Sequence, residues 1–212
     1  MTNTITAIQP SKRDPNLRNV YVDNSLAVTV PSSVVETLQI KTDLEWTDEL
    51  ADRIAEHHEH TKARRLSIDL ISRRLWGTNE LKTRLIKRGI SQPIATETVN
   101  QLVEDDWLDD TKYAKALIKE WLRKEPAGRK WIHHKLLQKE IPSEIATEVV
   151  ETELVDICEL EMATELAKIR ISKSTSVDVS TLRRKIMLAL TRKGFSFEVA
   201  SEAFQLAQKS NT

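Results

Sequence analysis

Hydrophobic residues recur through the last two-thirds of the 212-residue chain with the spacing of an α-helix. Residues four positions apart lie on one face of a helix, so a recurring aliphatic pair marks a stripe that can be buried. Three such pairs each end four residues before a predicted helix stop: Leu81 and Leu85, Ile132 and Leu136, and Ile186 and Leu190. The pattern predicts three helices that use the same face for their core contacts.

A second pattern, downstream of each stripe, indicates that these helices belong to an internal repeat. It reads aliphatic, Ala, hydroxyl, Glu, any residue, apolar, and it begins at Ile94, Ile145 and Val199. Intervals of about 50 residues leave room for three helices in each unit. The predicted fold is mainly α, with three tandem three-helix repeats stacked into an elongated curved body. The repeats are assigned to residues 61–108, 109–154 and 155–212.

The ends of the predicted helices follow from their stop signals. Gly89 and Gly194 each follow a basic pair, as is typical of a helix C-terminus, whereas Glu140 stands at the corresponding position of the second repeat. The predicted helices are 62–75, 79–88 and 92–104; then 110–124, 129–139 and 143–154; then 156–171, 180–193 and 196–209.

Residues 1–60 have a different pattern, which predicts a small module of a β-hairpin and helices. The β-prone segments 19–22 and 26–30 are joined through Asp23-Asn24-Ser25, which is a hairpin signal, and Ile5–Ile8 is a further short β-prone segment.

Two helices are predicted to complete this module. Ser33 and Glu36 have the spacing of a capping box for a short helix that ends near Leu38. The second helix is predicted to begin at Thr47 or Asp48 and to run toward residue 60.

Charge is unevenly distributed along a chain whose formal net charge is zero. Residues 1–60 hold 5 Lys and Arg against 10 Asp and Glu, whereas residues 61–139 hold 18 against 10. The basic excess predicts a surface for phosphate or for an acidic protein groove. Its candidate residues are Arg65, Arg73, Arg74, Lys82, Arg84, Lys87, Arg88, Arg123, Arg129, Lys130 and Lys135.

Catalytic motifs are not found, so we expect no enzyme, no cofactor and no bound metal. The sequence contains no Gly-rich phosphate loop, no Cys-x-x-Cys and no nucleophile elbow. His57 and His60 could share a helix face as metal ligands, but a solvated helix end explains them more simply. The acidic stretch around Asp109 and Asp110 is predicted to supply a helix N-cap rather than to bind a cation.

Apolar and aromatic positions limit the remaining possibilities. No apolar run approaches the roughly 20 residues that span a bilayer, and no signal sequence is recognised, so we expect a cytoplasmic protein without membrane contact. Cys158 is predicted to be a buried small hydrophobe. Packing is favoured over stacking on single-stranded bases for three tryptophans: Trp107, Trp121 and Trp131.

Several motifs in the repeat region, taken in order, resemble those of one protein family. They are Glu80-Leu81, then Lys87-Arg88-Gly89-Ile90, then Trp107-Leu108-Asp109-Asp110 with Tyr113-Ala114, then Gly128-Arg129. This order resembles the RecX family over residues 62–208, with Asp106 and Glu140 where the family usually has Gly. The resemblance implies a non-enzymatic cytoplasmic regulator that binds in the groove of RecA–DNA filaments and restrains ATPase and strand-exchange activity. It also implies weaker binding to DNA itself.

A physical hypothesis joins this resemblance to the basic residues. A monomeric curved body would bridge successive RecA subunits, with cations facing acidic walls or DNA phosphate. The residues selected for this role are Arg73, Arg84, Lys87, Arg88, Arg129 and Lys135. Two alternatives stay open: a stand-alone basic helical DNA-binding protein, and an adaptor for another acidic protein.

Overall fold

The computed structural model describes residues 3–174 and 178–209. Most of these residues are helical, and a small antiparallel sheet lies near the N-terminus, so the predicted mainly α fold class is confirmed. In chain order the described elements are β1 (Ile5–Pro10), β2 (Leu17–Val22), β3 (Ser25–Pro31), α1 (Ser32–Thr37), α2 (Asp48–Ile71), α3 (Thr78–Lys87), α4 (Gln92–Glu104), α5 (Asp110–Lys124), α6 (Arg129–Gln138), α7 (Ser143–Glu153), α8 (Glu159–Ser172), α9 (Val179–Arg192) and α10 (Phe197–Lys209).

The chain forms two compact units. The first unit consists of Met1–Arg73 with Arg84–Gln101, and the second consists of Arg74–Thr83 with Leu102–Thr212. The division into an N-terminal module, residues 1–60, and three repeats stays a prediction.

The sheet in the first unit has the order β1-β2-β3 and carries the predicted hairpin. Asp23 and Asn24, the two residues between β2 and β3, both have positive φ, as in the tight turns whose twist suits a two-residue hairpin. Val20 in the central strand is fully buried and packs in one cluster with Val30 and with Ile54 of α2. The sheet therefore covers one side of the long helix.

The long helix α2 corrects the predicted helix boundaries. Two helices with a break near residue 60 were expected, but Asp48–Ile71 is continuous because it contains no Gly or Pro. The helix begins at Asp48, one of the two predicted starts, and Thr47 caps it by accepting a hydrogen bond from the Leu50 amide at 3.1 Å. The capping box predicted for α1 is wrong, because Pro31 stands at the N-cap and no side chain caps the helix.

In the other predicted repeat helices, the buried stripes and the helix ends lie where the sequence predicted them. Eight of the nine helices predicted after residue 61 match described elements to within three residues at each end, so the helical period located them correctly. All six stripe residues are at most 3% exposed. In the second unit, one core cluster forms between α5, α6 and α7, and another between α8, α9 and α10.

The three helix stops share one backbone geometry. Gly89, Glu140 and Gly194 all have positive φ, and in each case the next amide donates to the carbonyl of the stripe residue five positions earlier. The acceptors are Leu85, Leu136 and Leu190, at 3.2, 3.2 and 3.3 Å from the donor nitrogens. This is the Schellman arrangement, in which a left-handed residue ends the helix. The backbone hydrogen bonds at these three helix ends therefore follow the internal repeat that the sequence predicted.

Two glycine stops differ in their surroundings, which gives a stability prediction. A Cβ at Gly89 would meet no atom within 4 Å, whereas at Gly194 it would lie 2.4 Å from the Trp131 nitrogen. We expect Gly89→Ala to lower the free energy of unfolding by about 1 kcal/mol through backbone strain alone. Gly194→Ala should cost roughly 2–4 kcal/mol, since overpacking is added. Urea denaturation followed by circular dichroism measures both, and equal costs would contradict the close contact.

Candidate partner-binding surface

The end of α3 carries an open group of basic side chains in the first unit. Arg84 and Lys87 lie in the last turn of the helix and Arg88 follows directly, and all three are exposed. Their side chains form no hydrogen bond or ion pair with any residue in the described part of the chain. Because residues three and four positions apart share a helix face, the three charges lie on one side. We call these three residues the basic cluster.

Arg65 and Arg73, also in the first unit, have different surroundings. Arg65 is exposed on α2 and lines a cavity. Arg73 pairs with Asp69 at 2.7 Å in an exposed ion pair of the kind that contributes little to stability. Arg73 and Arg74 were expected on the helix but follow its end at Ile71.

Arg74 in the second unit is held by its own chain. Its guanidinium forms two hydrogen bonds with the Glu80 carboxylate, at 3.0 and 3.2 Å, and stacks 3.5 Å from the centre of the Trp76 ring. Such fork-shaped pairing fixes the side chain more firmly than a single contact does. Arg74 therefore has fewer free donors for a partner than the sequence suggested.

The same carboxylate links α3 to α5. The Tyr113 hydroxyl donates to Glu80 Oε2 at 2.8 Å. Burial favours the neutral form of Glu80, but the bonds from Arg74 and Tyr113 outweigh it and lower the pKa of this carboxyl group. Burial and the bond to Glu80 raise the pKa of Tyr113 to about 12. Glu80, Arg74 and Tyr113 therefore form a charged network within the second unit.

A carboxylate from the following repeat caps α3. Asp110 is buried, and it accepts bonds from the Thr78 amide at 2.8 Å and the Thr78 hydroxyl at 2.6 Å. A Cβ at Gly77 would lie 3.1 Å from this carboxylate and 3.0 Å from the Tyr113 ring, so the close approach needs glycine. Sequence reasoning predicted a cap from Asp109 or Asp110. Asp109 caps its own helix through the Lys112 amide at 2.9 Å, and Asp110 caps a helix 32 residues earlier.

Arg129 takes part in the equivalent contact of the next repeat. Glu159, the first residue of α8, accepts a hydrogen bond from the Arg129 amide at 3.0 Å, at the start of α6. The Arg129 guanidinium also donates to the carbonyl of Leu154. This side chain is half-buried and already hydrogen-bonded within the chain. Its contact with a partner stays a prediction, and these bonds disfavour it.

The other four predicted basic residues, all in the second unit, differ in how exposed their side chains are. Arg123 and Lys130 are exposed, and neither has an ion pair among the residues that the structure describes. Lys82 is half-buried. Lys135 donates to Gln138 at 3.0 Å, and its ammonium lies 5.6 Å from the Trp131 ring centre. Arg123 and Lys130 are therefore the more available pair.

A charged contact that sequence reasoning missed lies between α5 and the two helices α8 and α9. Glu125 accepts hydrogen bonds from Lys193, at 2.6 Å, and from Arg170. Burial raises the pKa of Glu125, but Lys193 and Arg170 outweigh it, so the net pKa is lowered. The only sequence signal was an acidic residue at a predicted helix end, and its two partners are distant in sequence.

Tryptophan packing was predicted correctly in two of the three cases. Trp121 and Trp131 are half-buried and meet edge to face at 5.8 Å. The prediction for Trp107 is wrong, because its side chain is 56% exposed after the left-handed turn at Asp106. Cys158 is also exposed, contrary to expectation, because it lies at the N-cap of α8 rather than inside a helix.

Two further features of the described residues concern metal binding and membranes. No group of three or more His, Cys, Asp or Glu residues there could hold a metal ion, and His60 lies 3.5 Å from Glu97. None of the described helices has both the length and the apolar character that crossing a bilayer requires.

Comparison with known proteins gives matches over nearly the whole chain. No family model matches. The chain is 25% identical over 207 residues to the regulatory protein RecX of Bacillus subtilis, which covers 98% of this chain and 78% of that protein. It is 28% identical over 185 residues to the regulatory protein RecX of Leuconostoc mesenteroides, covering 86% and 68%. A crystal structure of regulatory protein RecX has the same fold, with a TM-score of 0.70 at 20% identity, covering 98% of this chain and 99% of that one.

The Glu80 network predicts a pH-dependent stability difference. Glu80→Gln should lower the free energy of unfolding by about 1 kcal/mol at neutral pH, because charge-assisted bonds become neutral. Since the folded pKa of Glu80 is lowered, its contribution is present above the unfolded pKa and is lost as pH falls through the folded pKa. The gap between wild type and variant should therefore close in acid. Glu120→Gln, in an exposed pair with Lys124, is the control and should change little. Urea denaturation across pH measures both, and a constant gap would contradict the network.

The two aspartates predict separable effects on helix capping. Asp110→Ala should speed hydrogen exchange of the Thr78 amide, and Asp109→Ala that of the Lys112 amide. Each should lower the free energy of unfolding by about 1–2 kcal/mol, as loss of an N-cap does. Amide exchange measured by NMR distinguishes the two sites, and if Asp110→Ala left Thr78 unaffected the long-range cap would be refuted.

Proposed function

This chain belongs to the RecX family, and from that premise we propose that it binds the RecA recombinase, free and in its filament on DNA, and restrains RecA activity. The activities concerned are ATP hydrolysis and strand exchange, and through them homologous recombination, DNA repair and the SOS response. The observation that carries the proposal is the basic cluster at the end of α3, which lies within the part of the chain that matches the curated relatives.

The charge of the basic cluster supports a polyanionic partner. Arg84, Lys87 and Arg88 have no counter-ion among the described residues, so their charges remain available to a partner. A filament on DNA offers repeated acidic walls and phosphates, and several modest charge contacts then act together. Electrostatic complementarity of this kind speeds encounter and fixes register.

Binding alone is sufficient for the proposed regulation. A protein that holds one arrangement of neighbouring filament subunits shifts their equilibrium by its differential affinity, and no catalytic group is required. The network of Glu80, Tyr113 and Asp110 limits movement of the helix start in the second unit. A firmly held surface loses less entropy on docking than a mobile one. We place this action in the cytoplasm, with the chain as a monomer.

Direct DNA binding is a second candidate function. Arg123 and Lys130 are exposed in the second unit and are not ion-paired within the described residues. Cations of this kind bind phosphate without sequence preference, and the affinity falls steeply with salt. Binding to DNA alone, measured beside the RecA assay, distinguishes the two functions.

A charge-reversal pair tests the proposed surface. Arg84→Glu with Lys87→Glu should raise the concentration that half-inhibits the RecA ATPase on single-stranded DNA by roughly tenfold or more, because two attractive contacts become repulsive. The matched control is Arg183→Glu with Arg184→Glu, which makes the same charge change at exposed positions of α9.

The outcomes of this experiment separate the site from the function. If the α3 pair inhibits as well as wild type, the basic cluster is not the contact. If wild-type protein leaves the ATPase unchanged and binds DNA tightly by itself, RecA regulation is refuted in favour of the DNA-binding function.

A further inference from the structure

The outer edge of β3 in the first unit has no strand beside it among the described residues. The order β1-β2-β3 places β3 at one edge of the sheet, and no backbone hydrogen bond joins Ser25–Val30 to a described residue outside the sheet. The opposite edge is covered, since the Ile5 amide donates to the Leu44 carbonyl at 2.9 Å. Open edges are usually protected by charged side chains, but β3 contains none. Its backbone is therefore available to a further strand.

The register of the ladder shows which backbone groups of β3 face outward. The Ser32 amide donates to the Asn16 carbonyl at 2.8 Å, so these residues form a hydrogen-bonded pair. Such pairs alternate along an antiparallel ladder with pairs that are not bonded to each other. The Asn19–Thr29 pair lies three positions away and so belongs to the second kind. The amide and the carbonyl of Thr29 therefore point away from β2, where an added strand would meet them.

A cavity of about 520 Å³ lies between β3 and α2, directly beside this edge. Val28 and Val30 contribute one wall, and Ala51 and Ala55, one turn apart on α2, contribute another with small side chains. Side chains alternate between the two faces of a strand, so every second residue of an added strand would point into this cavity. Its volume is in the range of small-molecule sites, which is ample for one large apolar side chain.

The charged residues at the cavity distinguish between possible occupants. Lys62 lines the cavity and is exposed, and its ammonium group makes no hydrogen bond or ion pair with another described residue. Glu59, one turn earlier, accepts hydrogen bonds from the amide and the hydroxyl of Ser91. The donors of Lys62 thus remain free for a carboxylate from outside. A second copy of this chain would bring β3, which has no acidic side chain, so a partner segment with an acidic residue fits better.

We propose that β3 and this cavity form a docking site for an extended, acidic segment of a partner protein. The segment adds to the sheet as a fourth strand through the backbone of Thr29. One large apolar side chain enters the cavity over Ala51 and Ala55, and a carboxylate two residues away meets Lys62. Main-chain bonds of this kind supply affinity, and the side-chain pocket supplies specificity. This inference goes beyond RecA regulation and does not depend on it.

The experiment uses the purified full-length chain without RecA and a synthetic heptapeptide, titrated by NMR. The peptide has leucine at its centre, glutamate two residues to either side and threonine elsewhere, so that either strand direction presents the same face. We expect it to bind and to slow hydrogen exchange of the outward-facing Thr29 amide. Replacing its leucine with alanine should weaken binding roughly tenfold, because most of the buried apolar surface is lost. Replacing both glutamates with lysine should weaken it further, through repulsion at Lys62.

Two pairs of variants locate the site on the chain. Ala55→Trp fills the cavity from an exposed position and should weaken peptide binding roughly tenfold or more, whereas Glu56→Trp, at the next exposed position, should not. Lys62→Gln should weaken binding roughly threefold to tenfold, since a charge-assisted bond becomes neutral. Arg53→Gln removes the same charge from an exposed position of α2 outside the cavity and should have no effect.

The possible results support or overturn the proposal without reference to RecA. Binding that is lost in Ala55→Trp and weakened in Lys62→Gln, with the Thr29 amide protected, supports it. The proposal is overturned if the peptide does not bind, or if these two variants bind it as well as their controls do. Protection of Thr29 that rises with protein concentration in the absence of peptide would overturn it in favour of pairing between two copies. All four substituted side chains are exposed, so the variants are expected to fold.

Discussion

The second unit depends on carboxylates that cap helices of the preceding repeat. Each capping carboxylate comes from the repeat that follows the capped helix. The first amides of a helix have no partner within it, and leaving them buried and unbonded is unfavourable. Asp110 satisfies the start of α3, and Glu159 satisfies the start of α6. Each carboxylate is itself the first residue of a helix, so one bond fixes two helix starts at once. Gly77 and the motif residues Asp110 and Tyr113 thus form one physical contact rather than three separate requirements.

Much of the fold could be predicted because its signals are local. The stripe at Leu81 and Leu85 follows from helical spacing, and α5 begins where Asp109 caps it. Local signals also failed in particular places. The break expected near residue 60 is absent, because no Gly or Pro interrupts the helical backbone there. Trp107 and Cys158 have apolar neighbours in sequence, but a left-handed turn and an N-cap position leave their side chains exposed.

The sequence predicted the candidate surface only as a set of basic residues, and not which of them remain available to a partner. Counting charges indicates an excess of cations, but it does not show which cation meets a carboxylate in space. A count of charges gives Arg74 and Arg129 the same weight as Arg84. In the structure, however, Arg74 is held by Glu80 and Arg129 by the Leu154 carbonyl. The Asp110 cap spans 32 residues, so no window of helical length contains both partners. Pairing at such separation follows from packing, which periodicity alone does not specify.

The distribution of paired and unpaired cations explains how a chain of zero net charge can attract a polyanion. Within the second unit, Lys193 and Arg170 share Glu125, and these contacts hold helices together rather than attract a partner. In the first unit the basic cluster stays without counter-ions among the described residues. Charges separated by more than about 8–10 Å are largely screened at physiological salt, so a ligand responds to the local excess and not to the total.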